Sequence, residues 1–379
     1  MKNDRINEFL ASRIAENDFP SCVYLVGEKK KIVYTDALGL AVVEPERIKA
    51  GLDTIYDLAS ITKVLVTGLL SAKLIERGEL RLDDPIAEYF GEFATSDKGE
   101  ITVRRLLTHT SGLTAWLPFY LITNPEAEIP NAVIEAIAAA PLANPVGSTV
   151  VYSDLNFLLL GFLLEKIYAK PLNEILKREI AAPLGLKDTF YNPPANLKPR
   201  IAASENGNRF EKNTCAEKGY QIRNPKSEIR NRMVWGEVHD GNCYFMKGVT
   251  GHAGLFSTAA EVFRIAQQFL ASETILFEPE TCRLFRENLT PGLNEARSLA
   301  FQLAATPDST ASDALSKDSF GHLGFTGTSL WIEPETERVF ILLTNRTHAH
   351  PLPFVLLNSV RRRFHELAQA ELKVLSPQS

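Results

Sequence analysis

Apolar residues recur along the chain at two different spacings, one typical of helices and the other of strands. Near the start, Ile6, Phe9, Leu10 and Ile14 follow the three- and four-residue spacing of an amphipathic helix. Residues 22–42 are instead rich in β-branched and aromatic side chains, and the polar run EKKK interrupts them. The pattern therefore predicts a helix followed by a β-hairpin.

The middle of the chain favours helices. A helix is predicted from near Ser60 to about Arg77, because the apolar positions keep helical spacing and Gly78 is a natural stop. Helical patterns then continue to about residue 190. The segment 205–247 differs because it is polar and aperiodic. A long irregular stretch in a compact protein is usually a lid, a binding loop or a disordered excursion.

The last third of the chain has a mixed pattern. A helix is predicted within residues 258–272, and a polar loop at 306–319 precedes two strands within 321–346, joined by a turn at EPETE. A closing helix is predicted around 354–372. Strands at both ends of the chain with helices between them indicate an α+β fold. One antiparallel sheet from both termini would be flanked by helices and carry a largely helical insertion.

The length of the chain adds a prediction of domains. At 379 residues it is long for a single core, so a second domain or a large insertion is expected. We expect residues 1–57 and 250–379 to form an α/β sheet domain. Residues 58–249 are expected to form a mainly helical domain, which contains the helix after Ser60 and the lid-like segment 205–247.

The composition excludes several classes of protein. The net charge of −5 argues against a nucleic-acid or membrane partner, and the 45% of hydrophobic residues is ordinary for a globular enzyme. No run approaches the roughly 18 apolar residues of a membrane-spanning helix, and charges interrupt the N-terminal stretch. Cys22, Cys215, Cys243 and Cys282 are scattered as free thiols would be, so we expect a cytoplasmic protein, or an extracytoplasmic one if a leader has been removed.

The sequence gives little support for a metal or cofactor site. The sequence contains no H-E-x-x-H, G-x-G-x-x-G or Walker A motif, and His348 and His350 alternate without an evident third ligand. The basic run VRRRF near the C-terminus is better explained as a solvated helix face than as a nucleic-acid site. We therefore expect no metal and no cofactor.

One ionisable residue stands out in the apolar run YDLASITKVLV. Lys63 follows Ser60 by three residues, so both side chains lie on one face of the predicted helix, in the chain's single S-x-x-K sequence. A serine becomes nucleophilic when a neighbouring base takes its proton, and a lysine is such a base where burial lowers its pKa. We expect the apolar neighbours to lower the pKa of Lys63 in this way. The plainer alternative is that Ser60 only caps the helix and Lys63 reaches solvent.

Together with several other segments, this motif resembles the serine β-lactamase and penicillin-binding-protein superfamily, in particular its class C-like branch. That branch also contains D-alanyl-D-alanine carboxypeptidases and esterases. The resemblance extends over nearly the whole chain and implies a β-lactamase/transpeptidase-like fold. Besides S-x-x-K, the matching segments are LLTHTSGL (106–113), VYSDLNFLLLG (151–161), APLGLKDTFYNP (182–193), GHAGLFSTAAEVFR (251–264) and GHLGFTGTSLWI (321–332).

The resemblance implies a role for each residue at a matching position. Ser60 would be the nucleophile, and Lys63 its base or proton shuttle. Tyr152, in the second motif, would be a further acid/base that relays a proton to the leaving group. The backbone N–H groups of Ser60 and of Phe325, the residue after the third motif, would form the oxyanion hole. The partner would be a small-molecule or peptide-like acyl substrate.

The second motif departs from the family pattern. Asp154 stands where the family has an Asn, whose amide donates to a substrate carbonyl, and an ionised carboxylate is unable to donate. Asp154 could instead hold Lys63 or a substrate ammonium. Asn156 could take over part of the lost role.

The third motif also departs, since it reads His322-Leu323-Gly324 instead of Lys-Thr-Gly. The usual Lys and Thr help to bind the carboxylate of a β-lactam or of a D-Ala-D-Ala terminus. A leucine side chain forms no hydrogen bond, and histidine is only partly charged near neutral pH. We expect His322 and Gly324 to border the substrate, and strong β-lactamase activity becomes doubtful.

Other histidines compete with His322 for the third motif or for a place at the site. His252 is expected either to serve a tight turn or to line the pocket from the side. His239, with Asp240, could reach the cleft but is better explained by a structural role. His109 is expected to order its loop.

These motifs favour an active serine hydrolase that forms an acyl-enzyme with an ester or amide. Esterase or D-amino-acid-type peptidase activity ranks above β-lactamase activity. Two alternatives stay open: a true β-lactamase, or a binding or assembly protein that keeps the fold without turnover, which the altered motifs suggest. A pure scaffold, however, has no physical reason to keep Lys63 in this place. The oligomeric state is not indicated by the sequence.

Overall fold

The central sheet of the computed structural model has seven antiparallel strands, which come from both ends of the chain. The structure describes residues 1–94, 97–123, 128–220 and 230–375. The strand order is β3-β2-β1-β10-β9-β8-β7, so N-terminal strands form one half of the sheet and C-terminal strands the other. The bounds are Ser21–Glu28 (β1), Lys31–Val42 (β2), Ile48–Lys49 (β3), Gln302–Leu303 (β7), Phe320–Leu323 (β8), Ser329–Glu333 (β9) and Arg338–Thr344 (β10).

A second sheet of three short strands lies next to Ser60 in the chain. Its order is β4-β6-β5. Tyr56 pairs with Ser257 and Asp57 with Phe256, so the residues just before Ser60 are hydrogen-bonded to a distant segment. The bounds are Tyr56–Asp57 (β4), Phe190–Tyr191 (β5) and Leu255–Ser257 (β6).

Most of the α-helices, α2 to α11 in chain order, lie between the two halves of the large sheet. The predicted opening helix, hairpin and closing helix are confirmed. The helix predicted from Ser60 starts as a 3-10 turn at Ala59–Ile61 and a π-helical stretch at Lys63–Gly68 before it becomes α-helical. Within the described ranges, none of the helices combines the length and the apolar character needed to cross a membrane. The α-helices are Asp4–Ala15 (α1), Leu69–Glu76 (α2), Val103–Leu107 (α3), Phe119–Ile122 (α4), Ile129–Ala139 (α5), Asp154–Tyr168 (α6), Leu172–Leu176 (α7), Ala182–Leu184 (α8), Arg209–Glu217 (α9), Gly241–Phe245 (α10), Ala259–Ala266 (α11) and Asn358–Leu375 (α12).

Alternate residues of β1 face two different hydrophobic cores. Val23 and Leu25 belong to the larger core, which contains α11, whereas Tyr24 and Val26 belong to a smaller core shared with α1 and α12. The ring of Phe364 on α12 meets that of Tyr24 edge to face, with centroids 6.0 Å apart. Full burial of a large apolar side chain contributes about 1.5–3 kcal/mol. The two terminal helices are therefore held to one face of the sheet by this packing.

The larger core continues from the sheet into the helical region. It includes Leu25 and Ile341 from the sheet as well as Leu107 and Leu158 from α3 and α6. Every residue from 61 to 74 is buried, and a helix that is apolar on all sides needs such surroundings. One apolar core joins both parts, and the predicted division into two domains stays a prediction.

Candidate active site

A cavity of about 550 Å³ opens beside Ser60. Its walls come from the turn at Ala59–Ile61, the start of α6, the end of β8 and the described parts of segment 205–247. The fold therefore brings together residues that are far apart in the sequence. Of the residues predicted to form the site, Ser60, Tyr152, Asp154, His322, Gly324 and Phe325 line this cavity.

Ser60 lies in a turn with an unusual backbone. Ala59, directly before it, has a positive φ of 48°, which costs a non-glycine residue on the order of 1–3 kcal/mol. The carboxylate of Asp57 holds this turn, because it accepts the N–H of Ala59 at 2.9 Å and that of His239 at 2.8 Å. The hydroxyl of Ser60 is thereby presented at the edge of the cavity.

Lys63 is completely buried, and its ammonium group contacts three oxygen atoms. Nζ lies 3.0 Å from Oγ of Ser60, 2.9 Å from the carbonyl oxygen of His252 and 2.7 Å from Oδ1 of Asp154. Of the two roles considered for Asp154, the structure therefore shows the ion pair with Lys63. The alternative in which Lys63 reaches solvent is wrong, since its side chain has no exposed surface.

The predicted protonation state of Lys63 is also wrong. Burial alone would lower its pKa, as the apolar sequence suggested, but the charge of Asp154 opposes this effect and raises the pKa above the ordinary lysine value. Lys63 is therefore an ammonium at neutral pH. The sequence argument considered the loss of water around the amine and not the carboxylate that the fold brings to it.

Tyr152 lies beside this ion pair. Its ring centroid is 5.1 Å from Nζ of Lys63 and 4.6 Å from the ring centroid of His109. Burial raises the pKa of Tyr152, and the nearby charge of Lys63 lowers it only in part. The phenol is therefore protonated at neutral pH and has a proton to give to a leaving group.

His322, at the end of β8, is uncharged. Its Nδ1 lies 2.8 Å from the carbonyl oxygen of Leu323, so Nδ1 carries the ring proton and Nε2 is an acceptor. Burial, followed by the charges of Lys63 and Arg297, holds the pKa of His322 well below its ordinary value. His322 therefore does not supply the positive charge that a lysine supplies at this position in the family.

Gly324 packs directly against the turn that carries Ser60. A Cβ at this position would lie 2.6 Å from the carbonyl oxygen of Leu58, so a larger residue has no room. The hydroxyl of Thr328 donates to the same carbonyl at 3.1 Å. These contacts hold Gly324, which precedes Phe325, against Leu58, which lies two residues before Ser60; Phe325 and Ser60 are the residues predicted to provide the oxyanion hole.

Two residues predicted to contact substrate lie behind the cavity wall. Asn156 is fully buried; its Oδ1 accepts the hydroxyl of Ser111 at 2.6 Å, and its Nδ2 lies 3.2 Å from Nδ1 of His109. His252 is also buried, with Nε2 3.1 Å from Asp240. Neither side chain lines the cavity, because both are held by these internal contacts. His252 instead reaches the site through its backbone carbonyl.

Charged residues of the cavity wall were missed from the sequence. The guanidinium carbon of Arg297 lies 5.9 Å from the ring centroid of Tyr152, and Arg297 pairs with Glu295 at 2.6 Å. Glu211 accepts the N–H of Gly241 at 2.7 Å, and burial raises the pKa of Glu211 to about 7. Neither residue belongs to a recognisable motif, so no sequence signal marks it.

The segment that contains His239 and Asp240 has more than the structural role predicted for it. Both residues line the cavity. The ring of His239 stacks on that of Phe325, with centroids 5.5 Å apart, and its Nε2 lies 3.0 Å from Glu205. The described parts of segment 205–247 therefore form one wall of the site.

One group of side chains has the spacing of a cation site. Ligating atoms of Asp154, Asp240 and His252 all lie within 4.8 Å of one another. The ammonium of Lys63, 2.7 Å from Asp154, is the cation that the fold brings to this group. The three side chains are thus explained by charge balance around Lys63.

The fold and this serine–lysine–tyrosine site define a serine hydrolase that works through an acyl-enzyme. The chain belongs to the beta-lactamase family, whose model, described as Beta-lactamase, matches residues 6–358. The predicted α+β fold, the resemblance to this superfamily and the prediction of a serine hydrolase are thereby confirmed.

Individual proteins of known sequence or structure are similar over most of the chain. The chain is 33% identical over 380 residues to a protein of Escherichia coli (strain K12) named "Putative D-alanyl-D-alanine carboxypeptidase", a match that covers 91% of this chain and 83% of the relative. A class C beta lactamase from Rhodobacter sphaeroides has a TM-score of 0.70 at 17% identity, covering 98% of this chain and 100% of that chain. EstCE1, described as a hydrolase with promiscuous acyltransferase activity, has a TM-score of 0.70 at 18% identity, covering 96% and 97%. At these identities the two structures support the fold alone.

Proposed function

We propose that this protein is a carboxypeptidase that removes a terminal D-amino acid from a peptide through an acyl-enzyme on Ser60. The relative named as a D-alanyl-D-alanine carboxypeptidase supports this substrate class. The proposal rests on the position of Arg297, whose guanidinium lines the cavity beside Tyr152. A C-terminal carboxylate is the group that such a cation recognises best.

Arg297 is suited to this role because Glu295 occupies only some of the N–H donors of its guanidinium. Glu295 takes the Nε and one Nη donor, at 2.9 and 2.6 Å. A guanidinium has five N–H bonds, so others remain for a substrate carboxylate. Since His322 is neutral, Arg297 replaces the cation that the family carries in its third motif.

The chemistry follows from the positions of the groups around Ser60. Oγ of Ser60 attacks the carbonyl carbon of the scissile amide, and the N–H groups of Ser60 and Phe325 hold the resulting oxyanion. Tyr152 gives its proton to the leaving D-amino acid. Water then hydrolyses the acyl-enzyme. Because His322 and Leu323 lack the donors of the usual Lys-Thr pair, β-lactam turnover is expected to be weak.

The test compares diacetyl-L-lysyl-D-alanyl-D-alanine with the same peptide blocked as a C-terminal amide. Arg297→Met is expected to raise KM for the free acid roughly 10- to 100-fold, because a hydrogen bond to a charged group contributes about that much to binding. KM for the amide should stay nearly unchanged. Arg283→Met, which removes an exposed arginine, is the matched control. Ser60→Ala is expected to abolish both reactions. Equal effects of Arg297→Met on the two peptides would contradict the carboxylate contact.

Other outcomes would assign a different activity. Hydrolysis of p-nitrophenyl acetate without cleavage of either peptide would make the protein an esterase. Binding of peptide without turnover by the wild type would favour the alternative of a binding protein that keeps the fold.

A cytoplasmic location is part of the proposal. All four cysteines lie in the described part of the chain, and each is buried and unpaired, as is common where thiols stay reduced. A cytoplasmic enzyme would act on soluble peptides and not on the crosslinked cell wall. Fractionation of cells that express the tagged protein is the direct test.

A further inference from the structure

Lys63 is surrounded by three oxygen atoms, and in the resting site its protonated nitrogen is unable to act as a base. Asp154 lies at 2.7 Å, the His252 carbonyl at 2.9 Å and Ser60 Oγ at 3.0 Å. Two N–H bonds of the ammonium donate to Ser60 Oγ and to the His252 carbonyl, the contact with Asp154 is an ion pair, and an ammonium has no lone pair. The resting site therefore holds a Ser60 hydroxyl, a Lys63 ammonium and an Asp154 carboxylate, so another group has to take the serine proton.

Asp154 is placed to take that proton. It is the first residue of α6, where the helix dipole favours a carboxylate, and its backbone N–H donates to the carbonyl of Ala115 at 2.9 Å. Its side chain is 19% exposed and lines the cavity, whereas Lys63 is 0% exposed. The carboxyl group of Asp154 therefore borders the cavity, although Oδ1, which faces Lys63, is itself buried, and the side chain of Lys63 has no exposed surface.

We propose that Asp154 is the final acceptor of the serine proton and that Lys63 relays the proton to it, an inference that rests on the proposed acyl-enzyme at Ser60. As Oγ forms its bond to the carbonyl carbon, the carbonyl electron pair moves to its oxygen and the Oγ–H bond breaks. That proton passes to Nζ, while Nζ gives a different proton to Oδ1 of Asp154. Lys63 is an ammonium before and after the step, and Asp154 becomes a neutral acid.

The same path restores the site. When the tetrahedral intermediate collapses, the leaving group takes the proton of Tyr152. Tyr152 regains a proton from Lys63, and Asp154 returns its proton to Nζ. Every proton taken from Ser60 thus ends on the leaving group, and the Lys63–Asp154 ion pair is re-formed.

Several ionisable groups surround this pair and have to be considered in any pH profile. Asp240 is engaged by His252 at 3.1 Å, and this contact keeps the carboxylate ionised despite its burial. The buried rings of His109 and His322 stay neutral, because burial lowers their pKa well below the ordinary value. Among the described residues, the ionisable groups around Lys63 and Asp154 include Tyr152, His109, Asp240, His252 and His322, and Arg297 acts on His109 and His322.

The test is the pH profile of the acylation burst with p-nitrophenyl acetate, a substrate that does not depend on the carboxylate contact. In the wild type, the burst rate at pH 6 should be close to the rate at neutral pH, because the serine proton passes to the Asp154 carboxylate and not to solvent. In Asp154→Asn, no carboxylate is present to take the proton that Lys63 passes on, so at pH 6 the burst rate should fall by about 100-fold and then rise with pH. Asp154→Glu should restore the wild-type shape of the profile.

The alternatives give different profiles. A loss that is equal at every pH would make Asp154 a structural support of Lys63 and overturn the relay. An Asp154→Asn variant that is faster than the wild type at pH 6 would show that Asp154 holds Lys63 back, which also overturns it. If mass spectrometry finds no acyl group on Ser60 of the wild type, the acyl-enzyme fails and the relay fails with it. Thermal unfolding of each variant separates loss of the burst from loss of the fold.

Discussion

The hydroxyl of Thr328 donates to the carbonyl of Leu58 across 3.1 Å, although the two residues are 270 positions apart in the chain. The hydroxyl of Thr326 makes the corresponding bond to the carbonyl of Asp57 at 2.8 Å. Together they fasten the end of the third motif to the turn that carries Ser60. The arrangement of the two predicted oxyanion donors therefore depends on threonine side chains that follow the third motif within the matching segment 321–332, and for which no role was predicted.

Thr328→Val removes one of these bonds without changing the shape of the side chain. The carbonyl of Leu58 keeps the N–H of Ile61 as a partner at 3.1 Å, so we expect the free energy of unfolding to fall by about 0.5–1.5 kcal/mol, the net contribution of one hydrogen bond. The acylation rate should fall as well, because the oxyanion donors are less well fixed. Urea unfolding and the ester burst measure the two effects. Thr328→Ser, which keeps the donor, should lie close to the wild type, and equal behaviour of both variants would contradict the prediction.

Gly324→Ala should disturb the packing of the third motif against the carbonyl of Leu58. Its Cβ would lie 2.6 Å from the carbonyl oxygen of Leu58, and forcing an atom into a packed site costs about 1–3 kcal/mol. We expect lower stability in urea together with a lower acylation rate. Gly91→Ala is the control, since no atom outside its immediate neighbours lies within 4 Å of the added Cβ. A stable, fully active Gly324→Ala variant would show that Phe325 needs no such packing.

Tyr152→Phe should separate substrates by their leaving groups. A peptide amine needs a proton to depart, whereas p-nitrophenolate departs without one, so we expect peptide hydrolysis to fall by about 100-fold or more and ester acylation to fall much less. Steady-state rates on the two substrates measure this ratio. Equal losses on both substrates would instead assign Tyr152 to activation of Ser60.

Glu211 should make the protein less stable as the pH rises. Burial raises its pKa to about 7 from an ordinary value of 4.5, so the folded state binds more protons than the unfolded state between these values. The free energy of unfolding should therefore fall through this window, by an amount on the order of 3 kcal/mol. Glu211→Gln removes the titration. The variant should gain stability relative to the wild type between pH 5 and pH 8 in urea unfolding, and a constant difference would contradict the assignment.

The sequence determined much of the fold because its signals are local. The spacing of apolar residues marks α1, and the β-branched run at 22–42 marks the hairpin, so both were predicted without knowledge of their partners. The same holds for Ser60 and Lys63. Because Ser60 and Lys63 are three positions apart on a helical stretch, their side chains lie on one face, and Oγ and Nζ are 3.0 Å apart.

The position of a motif also follows from the sequence, but the charge and the orientation of its side chains do not. His322 was found in the order of motifs, yet its charge depends on how deeply it is buried and on the cations beside it. Asn156 and His252 were assigned to substrate from their places in motifs. The fold turns both side chains away from the cavity and occupies them with internal contacts.

Tertiary structure alone decided the electrostatics of the site. Lys63 was predicted to be partly neutral from its apolar neighbours, and it is charged because Asp154 lies 2.7 Å away. Arg297 carries no sequence signal, yet it lines the cavity beside Tyr152. The energy of a charge depends on its distance to other charges and on the water it has lost, and both are properties of the folded chain.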